Sequence, residues 1–284
     1  IGWCDWSSDV CSSDLMLKYA IIISELDPAG LNIKEKLLAT NRFKSVAGSF
    51  DGHEIFSFGS ARLYTIKCDT VFAERIDEKI DADRFIFATR HEAAAGIPTL
   101  SAHAPGNFGR ADFGGGDRKL CPAPALLLKK AAKALDRHKP AGFTVTMEAT
   151  HHGPYIEKPA MFVEIGSNEE CWRSDAAGCA LAAAVTELIC ENSEAEAFVP
   201  AAAIGGPHYC AAFNRYMHGP DFAFGHICPK YNAGELDETM ILQMADKTVP
   251  RAELFFIDWK GLGSESRGGI IGIIEKLGFE YRRA

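Results

Sequence analysis

Histidines in this chain gather where apolar runs stop. RFIFAT (84–89) runs into Arg90-His91-Glu92, TLSAH (99–103) ends on His103, FTVTMEA (143–149) runs into Thr150-His151-His152, and EAFVPAAAIG (196–205) leads to Pro207-His208-Tyr209. A single histidine is ordinarily a satisfied core or surface imidazole, but five of the nine lie at such ends. Ligands of open α/β sheets bind at the carboxyl ends of the strands, so parallel strands with this pattern would carry His91, His103, His151, His152 and His208 to one rim. Glu148 in MEATHHGP and Glu164 in FVEIGS belong with them. Each stands in an otherwise apolar strand, where a charge is costly unless paired with a cation, a metal or histidine. Such a set can bind zinc, whose polarised water attacks an ester or amide, or it can supply a general base whose tautomer a carboxylate fixes. Both chemistries are hydrolytic. In an extended strand through 143–152, Glu148, Thr150 and His152 share one face and His151 points to the other. Neither H-E-x-x-H nor G-x-S-x-G occurs, which removes the commonest zinc-peptidase and serine-hydrolase signatures.

The elements that must position these groups alternate along the chain. Strands are expected at 19–23, 62–67, 84–89, 143–149, 160–166, 196–205 and 253–258, and helices at about 30–40, 122–138, 174–192, 208–217, 235–247 and 266–277. This is the pattern of an α/β fold, a mixed and largely parallel sheet flanked by helices. Ser174 is placed to cap the helix over 174–192, and Asp175 suits its positive N-terminal end. NFGRADFGGGDRK (107–119) reads as a long glycine-rich loop, a kind more often functional than idle in a compact fold. No repeat or Pro/Gly/Ser-rich linker divides the chain, so residues 16–284 are expected to form a single domain.

Composition bounds the rest. With 284 residues, 47% hydrophobic, 24% charged and a net charge of −8, the chain is globular and acidic. No stretch approaches the roughly 18 apolar residues of a membrane span. Residues 1–15 lack the basic and apolar regions of a signal peptide and read as a non-native leader before Met16. The remaining cysteines are odd in number and never spaced C-x-x-C, which fits the cytoplasm and buried, reduced thiols. No obligate protein partner is evident, and a monomer is expected. Within 110–140 the charge turns basic; on a helix Lys129, Lys133 and Arg137 form one stripe opposite Leu128 and Leu135, with Lys130 beside it. The stripe is either a solvated face or a track for a phosphate backbone.

The series SELDPAGLNI (24–33), ATRHEAAAGIPTLSAHAPGNFG (88–109), MEATHHGP (147–154), FVEIGSNEECW (162–172), IGGPHY (204–209) and FGHICPKY (224–231) resembles the archaeal and plant D-aminoacyl-tRNA deacylase family. Six motifs in order are specific where HHGP alone would be weak. The resemblance implies a zinc-associated hydrolase that frees tRNA from D-amino acids, a proofreading step in translation, on an α/β fold similar to peptidyl-tRNA hydrolase. It carries over to His91, His103, Glu148, His151, His152, Glu164, His208 and His226. The expected division makes His151 and His152, with Glu148 and Glu164 orienting, the catalytic groups. It makes His91, His103, His208 and His226 the zinc ligands, and Lys129, Lys130, Lys133, Arg137 and Lys230 the tRNA contacts. A zinc-dependent amidase or peptidase acting on a small substrate, and a non-catalytic RNA- or metal-binding protein, are the competing readings.

Overall fold

The computed structural model describes residues 17–191 and 196–284. The leader expected over 1–15, with Cys4 and Cys11, lies outside the described residues. The first half of the chain supplies β1 (Tyr19–Ser24), α1 (Pro28–Ala39), β2 (Lys44–Phe50), β3 (His53–Phe58), β4 (Ala61–Ile66), β5 (Arg84–Glu92) and β6 (Thr99–His103). Then come β7 (Ala123–Pro124), α2 (Ala125–His138), β8 (Thr144–Met147), β9 (Ala160–Ser167), α3 (Glu169–Trp172) and α4 (Asp175–Cys190). The last third adds β10 (Val199–Ile204), α5 (Ala211–His218), β11 (Phe222–Cys228), α6 (Glu238–Asp246), β12 (Thr248–Val249), β13 (Leu254–Ile257), α7 (Ser264–Lys276) and β14 (Glu280–Arg283).

Eight strands form the main sheet in the order β2-β3-β4-β1-β5-β9-β6-β8, and a second sheet runs β11-β10-β13-β14. The second sheet is parallel throughout, whereas the first mixes a parallel centre with antiparallel pairings at β2–β3–β4 and at β6–β9. The mixed, largely parallel α/β reading therefore holds. The period-two alternation of strand side chains divides the main sheet into two apolar faces. Ile21, Ile86, Ala88, Met161, Val163 and Ile165 pack in the large core with residues of α1, α2 and α4. Ala20, Ile22, Phe85, Phe87 and Phe162 form a smaller core on the opposite face. The large core also takes in Ala201, Ala203, Phe224 and Phe256, so it runs on into the second sheet.

Caps explain several helix starts. Asp27, Ser174 and Asp237 accept from the backbone N–H of Ala29, Ala177 and Met240. Asp27 also accepts from the Thr89 hydroxyl and from Arg90 N at 2.8 Å, which ties the start of α1 to the end of β5.

Three expectations need correction. The strand expected over 143–149 stops at Met147. The hairpin β2–β3, with β11 and β14, has no counterpart among the expected strands; Lys44–Phe50 is largely exposed and shows no apolar alternation to read. Finally, β6 and β8 run antiparallel to β9, so their carboxyl ends point opposite to those of β5 and β9. The histidines cannot all meet at one rim.

Candidate active site

They meet instead on a sheet face. Register places His91 of β5 opposite Gly166 of β9, Glu164 between Thr89 and Ser101, and His103 opposite Phe162. Strand alternation then turns Phe87, Thr89, His91, Phe162, Glu164, Ser101 and His103 to the same side. Phe87 and Phe162 stack at 4.7 Å, and the His103 ring continues the stack on Phe162 at 5.1 Å. A Cβ at Gly166 would overlap Thr99 Oγ1 and stand 3.2 Å from His91 Cδ2, so only glycine leaves the imidazole its place.

The remaining groups arrive from above this face. Past Met147 regular strand pairing ends and the chain also bridges toward the second sheet: Glu148 pairs with Tyr209, Ala149 N donates to His208 O at 2.9 Å, and Thr150 N donates to Ile227 O at 2.9 Å. His152 has φ 45, outside strand geometry. The expected separation of His151 and His152 onto opposite faces therefore fails, because the strand has already ended. Both rings lie near His103, at 4.2 and 4.9 Å between centroids.

Two subsets result. In the first, His91 Nδ1 lies 3.2 Å from Glu148 Oε2 and 3.4 Å from Glu164 Oε2, while His208 Nε2 lies 2.7 Å from Glu148 Oε2. His208 Nδ1 faces the Tyr231 hydroxyl at 3.2 Å. Burial disfavours the imidazolium of His91, but the hydrogen bond to Glu148 and the charge of Glu164 outweigh it and raise its pKa to about 11. Burial likewise opposes charge on Glu148, yet its hydrogen bonds with His208 and His91 hold it well below the usual carboxylate range. His103, fully buried, is raised because Glu164 outweighs the desolvation, and Glu164 is lowered chiefly by His103 against its own burial. Protons on His91 and His103 are thus favoured beside the two buried carboxylates, and a cation bound at an imidazole Nε2 would take the place of the proton there.

In the second subset, His151 Nδ1 faces Ala149 O at 2.8 Å, His152 Nδ1 faces Gly153 O at 2.6 Å, and His103 Nδ1 faces Ala104 O at 3.1 Å. A carbonyl only accepts, so each Nδ1 carries the proton and each Nε2 turns to the site. Burial, reinforced by the neighbouring imidazoles, lowers His151 well below its ordinary value and takes His152 to about 4, so both are neutral with an available Nε2 lone pair. Ligand atoms of His103, His151 and His152 lie within 4.8 Å of one another, as do those of His91, Glu148 and His208. His91 Nε2, His103 Nε2, Glu148 Oε1 and Glu164 Oε2 are buried without hydrogen-bond partners. Buried polar atoms are rarely left so, and imidazole with carboxylate is the donor set zinc takes; these residues fit that ion.

His226 does not join them. It is fully buried, its Nε2 donates to Cys121 O at 2.9 Å, and its Nδ1 meets Thr150 Oγ1 at 3.2 Å. Burial lowers it to about 4. Both nitrogens are used in pinning β11 to the 121 and 150 segments, so the expected role as a ligand is replaced by a structural one.

One member of the basic stripe of α2 is also reassigned. Lys129 is buried and its ammonium donates to Pro220 O at 2.7 Å. Lys130 reaches Glu191 O, Lys133 pairs with Glu196 and Arg137 with Glu187. Lys130, Lys133 and Arg137 tie α2 to α4 and the segment after it, whereas Lys129 is tied to the loop before β11 and presents no charge to a phosphate. Lys230 is exposed beside Tyr231, next to His208.

A cleft of about 800 Å³ opens over the cluster, lined by His91, His151, His152, Glu164, His208 and, on its walls, Arg90, Phe72, Phe113 and Tyr209. A smaller apolar cavity of about 110 Å³ beside Leu126 and Leu188 holds none of these histidines or carboxylates. Tyr209, whose hydroxyl is buried without a partner, escaped the sequence reading although it closes the IGGPHY motif. Phe113 lay within the glycine-rich loop, where composition drew attention to the glycines instead.

Imidazoles and buried carboxylates at the floor of an open cleft, on a mixed α/β sheet, define a hydrolase-like α/β protein. The chain belongs to the D-aminoacyl-tRNA deacylase family, whose sequence model matches residues 78–282. It is 34% identical over 270 residues to the D-aminoacyl-tRNA deacylase of Thermococcus kodakarensis, covering 93% of this chain and 98% of that one. It is 38% identical over 199 residues to that of Ignicoccus hospitalis, covering 70% and 80%. The crystal structure of a conserved protein of unknown function, AF0625, superposes with a TM-score of 0.85 at 31% identity, covering 94% of this chain and 95% of the other.

Proposed function

We propose that this protein hydrolyses the ester joining a D-amino acid to tRNA, releasing both. The observation that carries this reading is the fully buried Glu148 holding His208 and His91 beside the His103–His151–His152 set at the cleft floor. His208, half-buried and backed by Glu148, is placed as an oriented imidazole to take a proton from the attacking water and return it to the ribose oxygen. Zinc held by Nε2 of His103, His151 and His152 would displace the proton at His103 Nε2, lower the pKa of a water and polarise the ester carbonyl. Glu164 keeps His91 and His103 in place. Lys230, exposed beside Tyr231, and the partly exposed Lys130, Lys133 and Arg137 of α2 are the candidate contacts for the tRNA backbone. We take the protein to act as a monomer in the cytoplasm. The seven described cysteines are all free thiols, which suits a reducing compartment, and no helix among the described residues is long and apolar enough to cross a membrane.

The test is deacylation of matched D- and L-tyrosyl-tRNA, before and after chelation and after zinc is restored. Selective loss of the D-ester that chelation abolishes and zinc restores is expected; equal or absent hydrolysis of the two esters would refute the assignment.

Tyr209 offers a second measurement. Tyr209 lines the cleft and its buried hydroxyl has no partner, so a ring rotation that turns it to the substrate would let it donate to the developing oxyanion, and Tyr209→Phe should lower kcat by about 10²-fold. The same change removes an unsatisfied buried group, so Tm should stay level or rise. A loss of Tm with unchanged kcat would show that the hydroxyl serves the fold.

A further inference from the structure

The cleft has an aromatic wall that the reaction chemistry leaves unused. Phe72 and Phe113 both line it, and 53% and 69% of their surface is exposed. They are fixed from behind by interlocked backbone. Phe72 closes the short turn Thr70–Phe72. Phe113 precedes Gly114, which has φ +72 and packs so tightly on that turn that a Cβ would overlap Val71 O. Gly153 N donates to Phe113 O at 2.9 Å, and Gly153 itself abuts Gly114 and Gly115 too closely for any side chain. Glu74 clasps the junction, accepting from Gly115 N at 2.5 Å and from Tyr155 N at 2.8 Å. Gly153 directly follows His152, so the wall is mounted on the same backbone as the chemistry.

We propose that Phe72 and Phe113 form the stacking platform for the adenine base of the substrate's terminal nucleoside, an inference that rests on the deacylase reading. The ester carbonyl must lie at the histidines, and the base hangs from the same ribose, one sugar away in the cleft whose wall carries the two exposed rings. Aromatic rings accept any base by its π-face. The charge of this wall favours an uncharged base over a phosphate: Asp69 and Glu92 line the same cleft, and the Arg90 guanidinium is engaged by Asp69 at 3.4 Å and lies over Trp172. The alternative occupant, the amino-acid side chain, lies across the carbonyl from the ribose.

The experiment compares kcat/KM on two small D-tyrosyl esters, one of adenosine and one of 1-O-methylribose, for the wild-type full chain, Phe72→Ala, Phe113→Ala and Phe113→Tyr. Wild type should prefer the adenosine ester. Each alanine variant should lose roughly 5- to 150-fold on that ester and little on the ribose ester, with Phe113→Tyr restoring the preference. Melting temperatures should not change, because both rings are exposed. If wild type cleaves the two esters equally, or the variants lose equally on both, the platform is refuted while the deacylase reading stands. A loss that follows D-tyrosyl against D-alanyl esters instead assigns the wall to the side chain and also refutes it. Hydrolysis of neither ester, nor of D-tyrosyl-tRNA, overturns both readings.

Discussion

Alanine at both His151 and His152 is expected to lower D-aminoacyl-tRNA deacylation by about 10²–10⁴-fold while the protein stays folded. The two side chains are half-buried at the cleft, and their Nδ1 atoms bond only to carbonyls of their own segment, Ala149 and Gly153. No other strand or helix relies on those bonds. Their Nε2 atoms, in contrast, are two of the three imidazole nitrogens gathered with His103. Circular dichroism should therefore match wild type, while zinc content measured by atomic emission falls with turnover. Full turnover with zinc retained would take both histidines out of the mechanism, and loss of the CD signal would show them to be scaffold.

Glu148→Ala should be the most damaging single change, reducing both stability and rate. Glu148 is fully buried and faces His91 and His208, and with Glu164 it balances the charge on His91 and His103. Removing one partner of a buried ion pair leaves the other uncompensated, at a cost of about 3–5 kcal/mol. His208 also loses the acceptor that orients it, so kcat should fall by about 10²-fold or more. Urea unfolding at neutral pH reads the first effect, and Glu148→Gln, which keeps the shape without the charge, should fall between wild type and alanine. An unchanged midpoint in Glu148→Ala would mean that the histidines are not charged and that the balance described above is wrong.

These effects come from residues whose importance was legible in the chain before any tertiary structure. His91, His103, His151, His152, His208, Glu148 and Glu164 stand out because each is a polar, titratable group set in or just after an apolar run, where it would be costly without a partner. The parallel centre of the sheet follows from strands that alternate with helices, and the caps at Ser174 and the glycine loop over 107–119 are equally local signals. The six ordered motifs carried the family, and the matched family model agrees.

Other features depend on contacts between residues far apart in sequence, and no local pattern encodes those. The direction of β6 is set by its pairing with β9, and this moves the site from a rim to a sheet face. The bridge from Glu148 to Tyr209 ends β8 early and brings His151 and His152 to the same side. His226 differs from the other histidines only because Cys121 and Thr150 occupy both its nitrogens. Lys129 reads as a surface cation on a helical wheel, yet it is buried and donates a hydrogen bond to the carbonyl of Pro220, distant in sequence. Thus the sequence by itself determined which side chains carry the chemistry, since polarity in an apolar run is a local property. Their sidedness, charge state and partners were decided only by the tertiary structure, because desolvation and hydrogen bonding depend on what surrounds a group in space.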